Sequence, residues 1–409
     1  MNQSASPSRG LSAPTLRRLL WWAAVPLSCL YLFFVGILPA FSQWAPDLRI
    51  YYEAGQRLRA GLDLYTDLGA RGPRPLIGSW FLYPPSYAAF MAPFTYLPFR
   101  AVQWIWQLGY LALLVYLAST TARLLRRMDP HRLLLPAGLS ILCWMAATPG
   151  LLIDCQADLI TACLLVAALD LRMRGFSPWW SALLIAAAAN LKVLPAVFLL
   201  LFALRGEWRV ALGGAGLSLL FFCMAIPLAG WANTREFLFE IMPKVMRYGD
   251  IYGHNQSLFT LFGYWLGGPN ASSRLLSSAC GFGLLAAGGL SAYHARAHQH
   301  GLLLGGGLFL CLLPLLSTIS WPTAYIACFF PLAMAGTLWL NAFPRQPLWG
   351  LVWVVAMGLL ATLPHVIRNT VMPYQMNFHY LAAALLLFVL LLRFAWAQKL
   401  PPPSHTTPP

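Results

Sequence analysis

Long apolar stretches separated by short polar connections run along most of the chain. A helix of about 20 apolar residues crosses the roughly 30 Å hydrocarbon layer of a bilayer. Stretches of this kind recur through the sequence, so the pattern predicts an all-α polytopic membrane protein, a bundle of about 10–12 transmembrane helices. Full crossings are expected at residues 19–41, 102–121, 133–149, 155–171, 209–229, 274–293, 301–316, 324–342, 348–363 and 379–397.

The apolar stretch 177–204 is interrupted halfway along its length. Asn190, Lys192 and Pro195 lie near its middle, and proline removes a backbone hydrogen bond from a helix. Irregular backbone at membrane depth is tolerated where it is buried in protein or lines a cavity. We therefore expect a broken pair of helices that enters and leaves on one side of the membrane.

Residues 83–98 are also apolar, but they contain four prolines. Counting this segment as a crossing would invert the orientation of everything before Arg123. We interpret it as a re-entrant or interfacial segment at the end of a polar loop. Residues 42–100 then form the first outer loop together with this segment.

The distribution of charge fits one membrane domain. Hydrophobic residues make up 59% of the chain, and the net charge is +15. With both termini in the cytoplasm, the predicted inner segments hold 15 basic and 3 acidic residues, and the outer segments hold nine of each, as the positive-inside rule requires. No basic stripe or motif typical of nucleic-acid binding is present. We expect a cytoplasmic N-terminus at 1–18, a single transmembrane domain at 19–397 and a disordered cytoplasmic tail at 398–409.

Asp47 is a scarce acid at a predicted membrane boundary, since the chain holds only 12 Asp and Glu residues. If residues 47–60 form a helix, Asp47, Tyr51, Ala54 and Leu58 share one face. The acid would then point toward the bundle and be available for chemistry. It is equally consistent with a helix N-cap that follows Pro46.

Lys192 is the one lysine inside an apolar segment. A charge there is costly without a partner or a water-filled cavity. A bound anion would satisfy it. The alternatives are that the side chain snorkels to the interface, or that it pairs with a carbonyl freed by Pro195.

Two further outer segments contain polar side chains. Residues 231–257 have an amphipathic pattern and include His254, Asn255 and Gln256, whose side chains can hydrogen-bond hydroxyl groups. An ordinary loop turn is the alternative for these three residues. The second outer segment covers residues 363–377.

The acids do not predict a metal site. Asp63 with Asp67, and Asp154 with Asp158, have i, i+4 spacing and could each share a helix face, but neither pair has a neighbouring histidine or third acid. Enzymes that neutralise a diphosphate with a metal commonly cluster such ligands. Solvated loop acids are the expected interpretation.

Several short motifs follow one another along the chain. The first outer loop has Asp47 with Tyr51-Tyr52, then the sequence 61–65 and Tyr83-Pro84-Pro85, and further motifs lie at residues 155–158, 190–195 and 255–258. In this order they resemble the motifs of glycosyltransferase family 87, and the likeness spans most of the chain. There are two departures. Cys155 stands where the family more often has glycine, and the family histidine near Ser320-Trp321 is missing.

The resemblance implies a GT-C fold and a polyprenol-phosphate-mannose-dependent mannosyltransferase activity. The expected reaction moves a hexose, mannose above all, from a lipid-linked donor to a hydroxyl of a glycan or glycolipid, with inversion. The expected location is the bacterial cytoplasmic (inner) membrane, with the site facing the periplasm or cell exterior. Membrane lipid is an expected partner, whereas nucleic acid, a metal and a cofactor are not.

The resemblance also implies roles for particular residues. Asp47 would act as general base, accepting a proton as the new C–O bond forms, although the ordinary pKa of an aspartate is only about 3.9. A cationic side chain would hold the carrier phosphate. Substrate-binding positions are expected at Arg49, Tyr51, Tyr83, Lys192, Asn255, Gln256 and Trp321.

A polytopic transporter or flippase of a lipid-linked or polar substrate is the rival interpretation. Such a protein should hold ionisable residues near the midplane of several helices. Here only Lys192 clearly has that position, and nine of the twelve acids fall in predicted outer segments. The distribution of acids favours the transferase.

Overall fold

The computed structural model describes residues 13–42, 45–65, 81–126, 134–248, 255–298, 300–342, 347–361 and 378–397. Within these ranges all regular secondary structure is helical. A helix satisfies its own backbone amide and carbonyl groups, which water cannot do inside a bilayer. The predicted fold class, an all-α polytopic membrane protein, is confirmed.

The helices of the N-terminal half range from 5 to 27 residues in length. They are α1 (Ala13–Leu32), α2 (Leu38–Ser42), α3 (Pro46–Arg59), α4 (Pro85–Met91), α5 (Phe99–Leu125), α6 (Leu134–Trp144), α7 (Ala147–Asp154), α8 (Asp158–Met173), α9 (Pro178–Leu191) and α10 (Val197–Leu204). Those that follow are α11 (Trp208–Glu236), α12 (Met242–Tyr248), α13 (Leu258–Trp265), α14 (Ala271–His294), α15 (Gly301–Leu316), α16 (Phe329–Ala342), α17 (Pro347–Ala361) and α18 (His379–Ala397).

Six helical stretches in the described residues are long and apolar enough to cross a membrane. They overlap six of the predicted crossings and lie within Trp22–Arg59, Phe99–Leu125, Trp208–Met246, Ala271–Ala297, Pro322–Leu340 and His379–Ala397. Three other predicted crossings are the shorter helices α8, α15 and α17, of 16, 16 and 15 residues.

The predicted crossing at 133–149 is bent and is not a single helix. Its residues belong to α6 and α7, which meet at an angle of 68°. Hydropathy reports which residues avoid water and carries no information about the direction of the backbone, so the pattern could not reveal the bend. Helix α7 continues to Asp154.

Residues 83–98 do not form a spanning helix. Helix α4 has seven residues and a 3₁₀ turn follows it at Ala92–Tyr96; seven helical residues cover only about 10 Å. Helix α5 begins directly after Pro98. The segment is thus not one regular helix, and its interpretation as re-entrant or interfacial stays a prediction.

The broken helix pair at 177–204 is also confirmed. Helix α9 ends at Leu191, Lys192 is extended (φ −141°, ψ 138°), and a 3₁₀ turn leads into α10. Arg172, at the end of α8, donates hydrogen bonds to Phe176 before α9 and to Glu207 after α10. The pair therefore begins and ends at the same level.

Helix α15 lies at the centre of the bundle. Every residue from Gly301 to Leu315 is buried, as expected of a helix that is apolar on all sides. A Cβ atom on Gly306 would lie 2.5 Å from Leu169 Cδ1 of α8, and one on Gly305 would lie 2.6 Å from Leu201 Cδ1 of α10. Small residues let these helices approach closely.

The predicted outer segment 231–257 begins at a break in α11, where Gly230 has φ 79° and ψ 154°. Helical structure then continues through Glu236 and α12. His254, the second outer segment 363–377 and the tail 398–409 lie outside the described residues. So do residues 1–12 of the predicted cytoplasmic N-terminus.

Candidate active site

Helix α3 presents Asp47 on the predicted face. The side chains of Tyr51, Ala54 and Leu58 are buried, and Asp47 is half-buried one turn before Tyr51. The helix has Pro46 at its first position and Ala45 as its N-cap, so the interpretation of Asp47 as the cap is wrong. A carboxylate in the first turn is still favoured by the helix dipole.

A tyrosine cluster faces Asp47. The hydroxyl oxygens of Tyr51 and Tyr83 lie 2.8 Å apart, and the Tyr87 ring lies 4.8 Å from the Tyr51 ring and 5.1 Å from the Tyr83 ring, centroid to centroid. Tyr65 fixes the chain at this point by donating a hydrogen bond to the Tyr83 carbonyl, 2.9 Å away. Pro84 precedes α4 and directs the chain from Tyr83 into that helix.

The charges of two acids and one lysine converge on the Tyr83 hydroxyl. Burial raises the pKa of Tyr83 to about 12; Asp47 and Asp158 raise it too, and Lys192 opposes them. Tyr83 therefore keeps its proton at neutral pH and can donate a hydrogen bond. Because Asp47 and Lys192 both lie close enough to act on the Tyr83 hydroxyl, they belong to one polar site.

Lys192 forms an ion pair with Asp158. Its ammonium nitrogen lies 2.5 Å from Asp158 Oδ1, and both side chains are largely buried. The snorkelling and free-carbonyl alternatives for Lys192 are therefore wrong. Asp158 is the first residue of α8, so its interpretation as a solvated loop acid is wrong as well.

Thr323 lies beside the other oxygen of the Asp158 carboxylate. The threonine hydroxyl lies 3.5 Å from Asp158 Oδ2 and also donates to the side-chain oxygen of Gln156. Gln156 and Thr323 are buried. Neither was predicted as a site residue, and no local signal links residues 167 positions apart.

Asp154 and Asp158 do not share a helix face, contrary to the expectation from their spacing. Asp154 ends α7, and Cys155 then adopts a left-handed conformation (φ 57°, ψ 41°) before α8 begins. The Tyr110 hydroxyl supports this turn through the carbonyls of Cys155 and Gln156, at 3.1 and 2.5 Å. Asp154 remains close enough to Asp47 for their charges to interact.

The left-handed turn at Cys155 accounts for the family's preference for glycine at this position. Glycine adopts this conformation without penalty, whereas other residues are disfavoured by their Cβ atom. Cys155 occupies the position where the family more often has glycine. The backbone shape is therefore retained here at some cost in strain.

Asn255 and Gln256 attach their segment to the loop that leads to Trp321. Asn255 accepts a hydrogen bond from the Ser320 amide at 2.8 Å and donates one to the Thr318 carbonyl at 2.9 Å. The backbone N–H of Gln256 donates a hydrogen bond to the backbone carbonyl of Ser320 at 2.8 Å. The Asn255 contacts support the loop, and Trp321 is half-buried two residues before Thr323.

Arg49 does not share the Asp47 face. Its guanidinium pairs with Glu53 at 2.7 Å along the same helix. Of the predicted site residues, the structure thus brings together Asp47, Tyr51, Tyr83 and Lys192. The residues that were not predicted as site residues are Gln156, Asp158 and Thr323; the signals for Asp158 were the motif at 155–158 and the anion that a buried lysine requires.

Fold and site together define a polytopic helical membrane protein with a half-buried carboxylate, tyrosine hydroxyls and a paired lysine in one polar site. The chain belongs to glycosyltransferase family 87, whose sequence model matches residues 81–318. This confirms the resemblance seen in the motifs. The matched range contains Tyr83, Asp158 and Lys192, and Asp47 lies before it.

Two curated relatives are similar over most of this chain. A polyprenol-phosphate-mannose-dependent alpha-(1-2)-phosphatidylinositol pentamannoside mannosyltransferase of Mycolicibacterium smegmatis is 29% identical over 298 residues, covering 70% of this chain and 66% of the relative. An alpha-(1->3)-arabinofuranosyltransferase of Mycobacterium tuberculosis is 29% identical over 283 residues, covering 67% and 61%. The chain thus spans less than two thirds of the length of each relative.

Proposed function

We propose that the protein is an integral-membrane inverting glycosyltransferase that moves a hexose from a polyprenyl-phosphate donor to an acceptor hydroxyl. Mannose is the first candidate sugar, because one relative is named as polyprenol-phosphate-mannose-dependent. The observation that carries the proposal is one polar site, in a member of this family, that holds Asp47, the linked hydroxyls of Tyr51 and Tyr83, and the ion-paired Lys192. A general base and a phosphate-binding cation are the two groups that the reaction needs.

In the proposed reaction, Asp47 accepts the proton of the acceptor hydroxyl as its oxygen bonds to the anomeric carbon. The bond between that carbon and the phosphate oxygen breaks, and its electron pair stays on the phosphate. The Lys192 ammonium stabilises this leaving group through charge-assisted hydrogen bonds. A single displacement inverts the anomeric configuration, and neither a metal nor a cofactor is required for these steps.

We place the site on the outer face of the bacterial inner membrane. Helix α8 supports this orientation, because it carries a buried acid at each end. Asp170, near its C-terminus, pairs with Arg123 at 3.0 Å and with Arg174 at 3.6 Å, and both arginines belong to predicted inner segments. Asp158 lies 12 residues earlier, about 18 Å away along the helix.

The proposal is tested with the purified full chain and a short-chain polyprenyl phosphomannose bearing a labelled sugar. Glycan and glycolipid acceptors are supplied in parallel, with a polyprenyl-phosphate pentose as a competing donor because one relative is named as an arabinofuranosyltransferase. We expect labelled product with the anomeric configuration opposite to that of the donor, at a rate unchanged by EDTA. Movement of the donor across liposomes without transfer would instead favour the transporter.

Retention of configuration would contradict the single displacement. Loss of activity with EDTA, restored by a divalent cation, would contradict the metal-free chemistry. Neither result would affect membership of the family.

A further inference from the structure

Asp158 is held firmly by the protein, whereas its partner Lys192 is not. The carboxylate lies in the first turn of α8, where the helix dipole favours a negative charge, and Thr323 contacts its second oxygen. Its side chain is 9% exposed. Lys192 is 27% exposed and extends from non-helical backbone on a flexible four-carbon chain.

The Lys192 ammonium has hydrogen-bonding capacity to spare. It carries three donors, and among the residues that the structure describes its hydrogen bond goes to Asp158. A phosphate oxygen could therefore bind beside Asp158 or replace it. The phosphate and the Asp158 carboxylate would then share the Lys192 ammonium or compete for it.

We propose that Asp158 is a positioning residue that competes with the carrier phosphate for Lys192 and so sets the rate of product release. The inference rests on the proposed function. In the donor the carrier phosphate is a diester with one ionisable oxygen. After the anomeric C–O bond breaks, the electron pair remains on the phosphate, which becomes a monoester carrying about −1.5 to −2 charges at neutral pH.

The extra charge makes the product a stronger ligand of Lys192 than the donor. Without a competing anion, the polyprenyl monophosphate would leave slowly. The Asp158 carboxylate takes the ammonium back and returns the site to the observed ion pair. It contacts neither the sugar nor the acceptor in this account.

The test measures binding of a short-chain polyprenyl monophosphate to the detergent-solubilised full chain. In Asp158→Asn we expect at least tenfold tighter binding than in wild type. Steady-state kinetics should show lower kcat together with lower donor KM, and a burst of about one product per protein, because release limits turnover. A merely structural role would not tighten product binding.

Two controls isolate the ion pair. Asp158→Asn combined with Lys192→Met should bind the monophosphate no more tightly than Lys192→Met alone. Asp170→Asn removes the other buried acid of the same helix, which pairs with Arg123, and should leave the affinity within twofold of wild type. A second route is Asp158→Ser, which also removes the carboxylate but keeps a hydroxyl suited to the first turn of a helix, and should tighten binding in the same way even if Asp158→Asn does not fold.

Unchanged or weaker monophosphate binding in folded Asp158→Asn, or in Asp158→Ser where that is the folded variant, would overturn the inference. The binding readout needs no turnover. If wild type transfers sugar and the Asp158 variants bind the monophosphate with wild-type affinity, only the role proposed for Asp158 is refuted. A wild type that transfers no sugar, with tighter binding in Asp158→Asn, would refute only the proposed function.

Discussion

The hydroxyl oxygens of Tyr51 and Tyr83 lie 2.8 Å apart and join helix α3 to the chain that returns to the membrane. Asp47 lies one turn before Tyr51 on the same helix face. The hydrogen bond therefore sets the position of the acid relative to Tyr83 and, through Tyr83, relative to Lys192.

We expect Tyr51→Phe to lower kcat/KM by about three- to tenfold, since a single intramolecular hydrogen bond contributes roughly 0.5–1.5 kcal/mol. Tyr87→Phe is the matched control. Its ring packs against both other tyrosines, but its buried hydroxyl has no hydrogen-bond partner among the described residues. Removing that hydroxyl should leave the activity unchanged. The unfolding temperature should stay the same or rise. Equal losses in the two variants would contradict a positioning role for the Tyr51–Tyr83 bond.

Cys155 offers a test of the turn between α7 and α8. Replacing glycine by alanine usually stabilises a protein. At a left-handed position the order is reversed, because the Cβ atom of alanine costs about 1–2 kcal/mol in that conformation. We therefore expect Cys155→Gly to unfold at a higher temperature than Cys155→Ala, measured on the detergent-solubilised protein. Both variants lose the buried thiol, so their difference reports the backbone. A more stable alanine variant would mean that Cys155 is not left-handed.

Gly301 begins the central helix α15 at a position where no side chain fits. A Cβ atom there would lie 1.8 Å from the Ala295 carbonyl oxygen. We expect Gly301→Ala to cost about 1–3 kcal/mol of stability through backbone displacement. Gly283 in α14 has nothing within 4 Å of its would-be Cβ, so Gly283→Ala should be neutral or stabilising. Thermal unfolding of the two variants compares them directly, and equal stability would argue against this packing.

Local periodicity predicted the parts of the site that lie within one helix. The spacing of Asp47, Tyr51, Ala54 and Leu58 identified the buried face of α3, because a helix repeats every 3.6 residues. Proline at position 195 likewise predicted the break beside Lys192. These features depend on neighbours in the sequence.

Contacts between distant segments could not be predicted in the same way. The i, i+4 spacing of Asp154 and Asp158 suggested one continuous helix, and the left-handed Cys155 between them defeats that inference. Lys192 reaches Asp158 from 34 residues away, and Thr323 from 165 residues away. Only tertiary packing brings these side chains together.

Asp47 is the central residue of the proposed chemistry, and Glu53 provides a matched acid on the same helix. The Glu53 carboxylate pairs with Arg49 on another face, so Glu53→Gln tests loss of an acid from α3 without loss of the proposed base. General base catalysis contributes about 10²–10⁴ in rate. Asp47→Asn keeps the size of the side chain and removes its charge.

The most direct measurement is the single-turnover rate of sugar transfer from a short-chain polyprenyl phosphomannose by wild type, Asp47→Asn and Glu53→Gln, each checked for an unchanged unfolding temperature. Single-turnover conditions report the chemical step separately from product release. The account predicts a rate at least 100-fold lower for Asp47→Asn and within threefold of wild type for Glu53→Gln. Transfer by folded Asp47→Asn within threefold of wild type would contradict it.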